Sequence, residues 1–537
     1  MKVQLHESLL GRKQEDFKED VEYTELRPRV ASVLESEIGT WRLRASKAVE
    51  KEEGATLDPM KIQETEHPPD LKSAYTVLFV LLFTFVSNQW TRQSINYLCN
   101  FSDSTDDGDK DQYMNLDLNF DQEQYATLSS IIFSVFFASF SLFAGSASDK
   151  YRRDWMALIG CGVWSVATAA QAFIDDYGLL CIARVIIAVS QAYFNPVAYT
   201  LLADLFPTQK LAEANGIFTS GIYLGGGLAS ISIVMDQSIG WRMTMLVIGA
   251  IGGLATMLVF FFVKDPRGDG VGTTISTSKH SMAGEDDDGV HRNSKIVQLK
   301  MLIRDVGIVF ETSQSRYIYM GSTMRFMAGF SILTWKAPFI FDKFEGEEEF
   351  FSLTNAIVVG VVGLLSTVLG GYLADLIANP PANSRRKPRA RAWVPAIGSL
   401  LAVPCWIFFV MAPTLELTMV ALTFEYICAE CWFGPVLATL FTTVDPSVRG
   451  TAQGIFSVLT AVGNVAPLLI GSMAGGSMGD YYLGDVILFA VGGFYAISGV
   501  IFVKVAMNED ENLKVEREKL QNDALAVVGI DEGVTEI

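Results

Sequence analysis

The chain is predicted to be an all-α membrane protein of twelve transmembrane helices, arranged as two pseudo-symmetric six-helix bundles. Three observations predict it. Half of the 537 residues are hydrophobic and 45 are glycine, a composition expected where helices pack closely in lipid. Apolar stretches of the roughly 20 residues that a bilayer crossing needs recur along the chain. One segment also occurs twice, as FNPVAYTLLADLFPTQKLAEANGIF over 194–218 and FGPVLATLFTTVDPSVRGTAQGIF over 433–456. Pro196 and Pro207 stand 11 residues apart, as do Pro435 and Pro446, and the prolines of the two copies are offset by 239 residues. Each copy enters an apolar helix through a Gly-Ile-Phe step, at Gly216 and Gly454. A repeat nearly half the chain long implies a transporter built from two duplicated bundles around a central site.

In chain order, residues 1–73 form a polar, acidic cytosolic tail that reads as no cleavable leader. Within it Val30, Val33, Leu34, Ile38 and Trp41 recur at helical spacing and can lie on the inner leaflet. The amino-terminal bundle, 74–263, holds spans 1 to 6 at 74–98, 124–147, 155–174, 178–205, 214–235 and 241–263. A cytosolic central loop, 264–315, carries the acidic run 285–288 and then a surface helix with Ile296, Leu299, Ile303, Val306 and Phe310 on one face. The carboxy-terminal bundle, 316–507, holds spans 7 to 12 at 316–341, 351–376, 393–412, 415–443, 452–476 and 484–507. Residues 508–537 are a second acidic cytosolic tail.

Loop charges set the orientation. Lys150, Arg152 and Arg153 follow span 2, and Arg385, Arg386, Lys387, Arg389 and Arg391 follow span 8 with no acid among them. The loop after span 1 holds eight acids between Asp103 and Glu123 against Lys110 alone. Basic loops stay cytosolic, so both termini and the central loop are expected there. The net charge of −19 resides mainly in loops and tails and argues against a nucleic-acid partner, which calls for a basic face.

Several chemistries find no support. His6, His67, His280 and His291 all lie outside the spans, and no phosphate-binding loop occurs. Cys428 and Cys431 have redox or metal spacing but sit in an apolar helix with no second pair, so they read as packing residues. No nucleophile–base set points to an enzyme, and no cofactor is expected. Asn100 heads a glycosylation sequon close to the end of span 1, an unfavourable place for modification.

Polar groups on buried helix faces mark the candidate site, since a charge at mid-membrane costs about 2.5–3.5 kcal/mol even on gentle scales. In span 1, Gln89, Arg92, Gln93 and Asn96 form one stripe; in span 4, Arg184, Gln191 and Asn195 form another. Arg325 and Lys336 share a face of span 7, about 16 Å apart along its axis. Span 10 supplies Glu425, with Trp432 on the same face and Glu430 turned away. Spans 1, 4, 7 and 10 hold corresponding positions in the two halves. The alternative for each charge is a structural pair or an interfacial anchor; one glutamate can serve simply as counter-ion to Arg325 or Lys336.

Residues 74–507 resemble the major facilitator superfamily. Gly145-Ser-Ala-Ser-Asp149-Lys-Tyr-Arg152-Arg153 is similar to its signature after span 2, with Gly371-Tyr-Leu-Ala-Asp375 as the partner in the second half, and Arg184 to Ala192 resembles its span 4 signature. Within that superfamily the chain most resembles the Spinster branch of lipid transporters, on the Tyr193–Phe206 sequence, on Lys264-Asp-Pro-Arg-Gly268, and on Glu425 seven residues before Trp432. The resemblance implies a gating role for Gly145, Asp149, Arg152, Arg153 and Asp375, and a plasma or endolysosomal membrane. Spinster-type proteins carry acids where this chain has Thr91 and Gln191, which puts proton coupling from the amino-terminal half in doubt.

These readings converge on a secondary active or facilitative transporter, working as a monomer by alternating access. Four bases against two acids in the expected cavity favour an anionic or amphipathic substrate, lysolipid-like or an organic anion, with protons as the candidate coupling ion. The alternative is a transceptor that binds solute and signals through its tails.

Overall fold

The computed structural model describes residues 71–102, 113–266, 303–380, 390–445 and 448–527. The amino-terminal tail, most of the central loop, four of the five bases after span 8 and all four histidines lie outside them. Residues Pro69–Asp375 and Ala390–Glu509 form one helical unit, which holds everything that follows. Of the second unit, 376–378 and 510–527 are the described helix ends of spans 8 and 12.

Ten helices are long and apolar enough to cross a bilayer among the described residues. One of them, Glu213–Phe262, covers both span 5 and span 6. Its turn is at Gly240, where φ is 77° and ψ 158°, a backbone state that glycine adopts without a Cβ clash. Span 7 is the continuous helix Ser313–Lys343. It is long enough to cross but carries Arg325, Lys336 and many hydroxyl side chains, which lower its hydropathy. The twelve expected helices are therefore all present. Among the described residues the one departure from an all-helical fold is a hairpin of Ala474–Gly476 with Gly479–Asp480, at the expected end of span 11.

The repeated segment has a structural meaning. In the first copy the helix Tyr177–Ala192 ends and a new one, Phe194–Leu205, begins. In the second copy Leu415–Ala429 gives way to Phe433–Thr443. Pro196 and Pro435 stand third in the restarted helices. Proline there removes an N–H that the first turn leaves without an intrahelical partner, so it favours a restart at that point. Both halves thus carry a broken helix at the same place, a feature of transporter binding sites.

Near the predicted outer ends the two halves share one apolar cluster that includes Ile95, Tyr97 and Trp90 of span 1 with Trp335, Phe341 and Phe351 of spans 7 and 8. Two further clusters belong to one half each. Polar bonds stitch the same seam. Tyr125 donates to the Thr334 carbonyl at 2.7 Å, and Ser230 and Ser352 each donate to the other's carbonyl at 2.9 and 2.7 Å. Asn355 donates to Tyr97 Oη at 3.2 Å and Ser230 Oγ at 2.9 Å. Gly227 lies against Gly360 and the Ala356 carbonyl, so spans 5 and 8 meet backbone to backbone. The opposite, outward faces present Val166, Phe489 and Val500, all more than 60% exposed, as lipid-facing side chains are.

Three expectations need correction or completion. The surface helix is described only from Ile303; of its predicted face Phe310 packs partly buried on Tyr319 while Ile303 is exposed, and Val309 is the fully buried residue. Asn100 is 5% exposed, and its amide and carbonyl are held by Asn115, which disfavours the sequon. Cys428 and Cys431 are free, with the Cys431 thiol on the Cys428 carbonyl at 3.0 Å.

Candidate functional site

The carboxy-terminal half builds its site where span 10 breaks. Ending the helix at Ala429 leaves carbonyls without intrahelical donors, and two side chains take them. Arg325 Nη2 donates to the Ala429 carbonyl at 2.7 Å, and Thr367 Oγ1 donates to the Glu430 carbonyl at 3.2 Å. Glu430 caps that helix, its N–H still on the Tyr426 carbonyl. Its carboxylate lies 3.4 Å from Arg325 Nη2 and accepts from Tyr223 of span 5 at 3.2 Å. Glu430, expected to turn away from the Glu425 face, thus still reaches Arg325.

Glu425, 1% exposed, reaches the same arginine through a relay. Arg325 Nη1 donates to Tyr495 Oη at 3.3 Å, and Tyr495 donates to Glu425. The Arg325 guanidinium also packs on the rings of Tyr495 and Trp432, with its carbon 4.6 and 5.5 Å from the centroids. Lys336 lies fully buried with a different partner. Its Nζ donates to Tyr426 Oη at 3.1 Å and faces the Tyr426 and Tyr97 rings at 5.2 and 6.0 Å. The two bases of span 7 thus divide: Arg325 gathers both glutamates, while Lys336 makes no ion pair among the described residues.

The amino-terminal half holds two more bases. The Arg92 guanidinium carbon sits 4.5 Å from the Phe133 centroid and 5.3 Å from that of Phe137; Arg184 sits 5.4 Å from Phe133. Arg184 Nη2 donates to the Arg92 carbonyl at 3.2 Å, while its Nε is buried without a partner. Arg184 is 1% exposed, which overturns its reading as an interfacial anchor near the end of span 4. Neither arginine has a carboxylate within ion-pair distance among the described residues. Around them Gln191 donates to the Asn88 carbonyl at 3.2 Å, Gln93 donates to Gln89 at 3.3 Å, and Asn96, Gln191 and Asn195 each keep a buried oxygen without a hydrogen bond. Asn96 lies in a 3-10 turn, Ser94–Tyr97, so the span 1 stripe is regular only as far as Gln93.

Sequence reasoning missed Phe133, Tyr223, Tyr426 and Tyr495. The signal for the tyrosines was their hydroxyl, which needs a partner when buried in an apolar span. It also missed Asp236, just past the expected end of span 5: the carboxylate is 2% exposed with Oδ1 unpartnered. The amino-terminal half therefore does bury an acid, near its predicted outer end.

At the predicted cytosolic ends the Arg153 guanidinium pairs with Asp204, and its backbone N–H donates to Asp265 at 2.8 Å. Arg152 pairs with Asp154 at 2.7 Å. Among the described side chains, acids facing these two bases come from spans 3 and 4 and the segment after span 6. The side chains of Gly145 and Asp149 lie outside the described ones. In the second half Asp375 pairs with Arg391 at 3.1 Å.

Broken helices at matching places and buried charges around a polar centre define a membrane transporter. The sequence profile of the Major Facilitator Superfamily matches residues 110–467, and the chain belongs to that family. It is similar to "Protein spinster homolog 3" of Danio rerio, 25% identical over 64% of this chain and 69% of the relative. It is also similar to "Protein spinster homolog 1" of Homo sapiens, 28% identical over 64% and 65%. A solved bacterial homolog of the human lysosomal transporter Spinster, in an inward-facing and unoccupied conformation, has the same fold. That match has a TM-score of 0.60 and 18% identity, covering 82% of this chain and 96% of the other.

Proposed function

We propose that the chain moves an organic anion of amphipathic character across its membrane by alternating access of the two halves. The observation that supports this reading is the pair of a half-buried Arg92 and a buried Arg184 about one aromatic ring, with no acid paired to either among the described residues. Two cations in a low-dielectric site are costly unless an anion joins them. Phe133 and Phe137 offer apolar surface beside that charge, as a headgroup with a hydrocarbon body requires. Lys336, with a tyrosine as its partner, is a second anchor for the anion in the other half. Gln89, Asn96, Gln191, Asn195 and Trp432 are assigned as the remaining substrate contacts.

The test is uptake of labelled lysophosphatidic acid and of small organic anions into liposomes holding the purified chain. Uptake that Arg92→Ala abolishes, with the variant folded and inserted, is the expected result. Normal uptake in that variant overturns the assignment. Binding without movement of solute favours the transceptor reading.

A further inference from the structure

Asp236 takes no part in the anion site, and its buried carboxylate makes no ion pair among the described residues. It belongs to the face of span 5 that packs on span 1. Gly225 meets the Gln89 side chain and the Val86 carbonyl, and Ser232 Oγ accepts from Trp90 Nε1 at 2.9 Å. One turn beyond Ser232, about 6 Å along the axis, Asp236 is 2% exposed and its Oδ1 is buried without a hydrogen bond. It also sits four residues before the backbone reversal at Gly240, in the last turn of its helix, where exposed carbonyls disfavour a negative charge.

The groups around it supply no compensation. Cys99, on the segment after span 1, is buried in the same apolar cluster as Ile233 and Trp241 and offers no positive charge. Arg242, on span 6, is engaged by Asp117 at 2.9 Å and Asp175 at 2.7 Å. Glu348 on span 8 accepts from Gln237, the residue next to Asp236. A carboxylate without a base or donors in an apolar site is neutralised by a proton. The same helix turns its other face to the seam between the halves, through Ser230 to Ser352 and Asn355 and through Gln237 to Glu348. Opening the seam removes those partners and lets water reach the end of span 5.

We propose that Asp236 is a proton-binding site of the amino-terminal half, loaded while the predicted outer seam is shut and emptied when that seam opens. The site is independent of which anion is carried, so its test uses no substrate. Infrared difference spectra of the full chain in lipid nanodiscs, alkaline minus acid, should show loss of a protonated-carboxyl carbonyl band. That band should be missing in Asp236→Asn and kept in the Glu425→Gln, Glu430→Gln double variant. Spin labels at Ile239 and Phe350, exposed on the two sides of the seam, should move apart at alkaline pH in the wild type and stay close at every pH in Asp236→Asn. If the amide variant does not fold, Asp236→Glu replaces it and should shift the band's frequency. A band unchanged in either variant, or a distance change that survives Asp236→Asn, overturns the proposal.

Discussion

The Arg184 guanidinium donates to the main-chain carbonyl of Arg92 at 3.2 Å, and the two side chains face the same Phe133 ring. Two like charges therefore share one neutral pocket, held by cation–π contact and a single carbonyl. Each such contact is worth about 0.5–2 kcal/mol, less than the cost of burying the charge. On the proposed function, the pair serves anion binding at a cost in stability. Replacing Arg184 with Met should raise the unfolding temperature of the detergent-solubilised protein while abolishing anion uptake. A lowered unfolding temperature would mark the arginine as a structural strut instead.

Much of this site was legible in the chain because polar residues are rare in apolar spans and their spacing places them on a face. Arg92, Arg184, Arg325, Lys336 and Glu425 were found that way. The reach of Glu430 to Arg325 was not, because the side chain of a residue that caps a helix is not placed by periodicity. Phe133 could not be read either, since an aromatic residue in a membrane span gives no sign of whether it meets lipid, core or a cation.

The glycine contact of the seam gives a second prediction. A Cβ at Gly227 would collide with the Ala356 carbonyl and Gly360, and neither is a flexible side-chain end. Gly227→Val should cost the closed arrangement about 1–3 kcal/mol, a roughly 5- to 150-fold change in the closed-to-open ratio. Spin-label distances across the seam should lengthen, and closed-seam distances in the variant would refute the packing argument.

At the predicted cytosolic ends, Arg153 is buried while its partner Asp204 is 39% exposed. Losing the carboxylate leaves a guanidinium held by the Ser148 and Thr200 carbonyls alone. Asp204→Asn should destabilise this end of the amino-terminal half by about 1–3 kcal/mol and speed amide exchange in residues 148–156 and 200–206. Restoring slow exchange by Asp204→Glu would show that charge, not shape, is what Arg153 requires. Unchanged exchange in the amide variant would show that Arg153 does not depend on this carboxylate.

We predict that any proton coupling in the carboxy-terminal half runs through Glu425 or Glu430 and their shared partner Arg325. Arg325 holds Glu430 directly and Glu425 by way of Tyr495, so an arriving anion that engages Arg325 competes with both acids. An acid released from its base while still buried gains affinity for a proton, which would link the two fluxes in one step. The competing account is a facilitator in which both glutamates are permanent counter-ions. Substrate-dependent proton movement in liposomes separates them, measured in the wild type and in Glu425→Gln, Glu430→Gln and Tyr495→Phe. Coupling through the relay predicts that Tyr495→Phe, which cuts Glu425 off from Arg325 without removing a charge, lowers the proton-to-substrate ratio. Glu430→Gln would then also lower it, by freeing Arg325 of its direct partner. Substrate moving at full rate in all four proteins with no proton flux would leave the facilitator account standing.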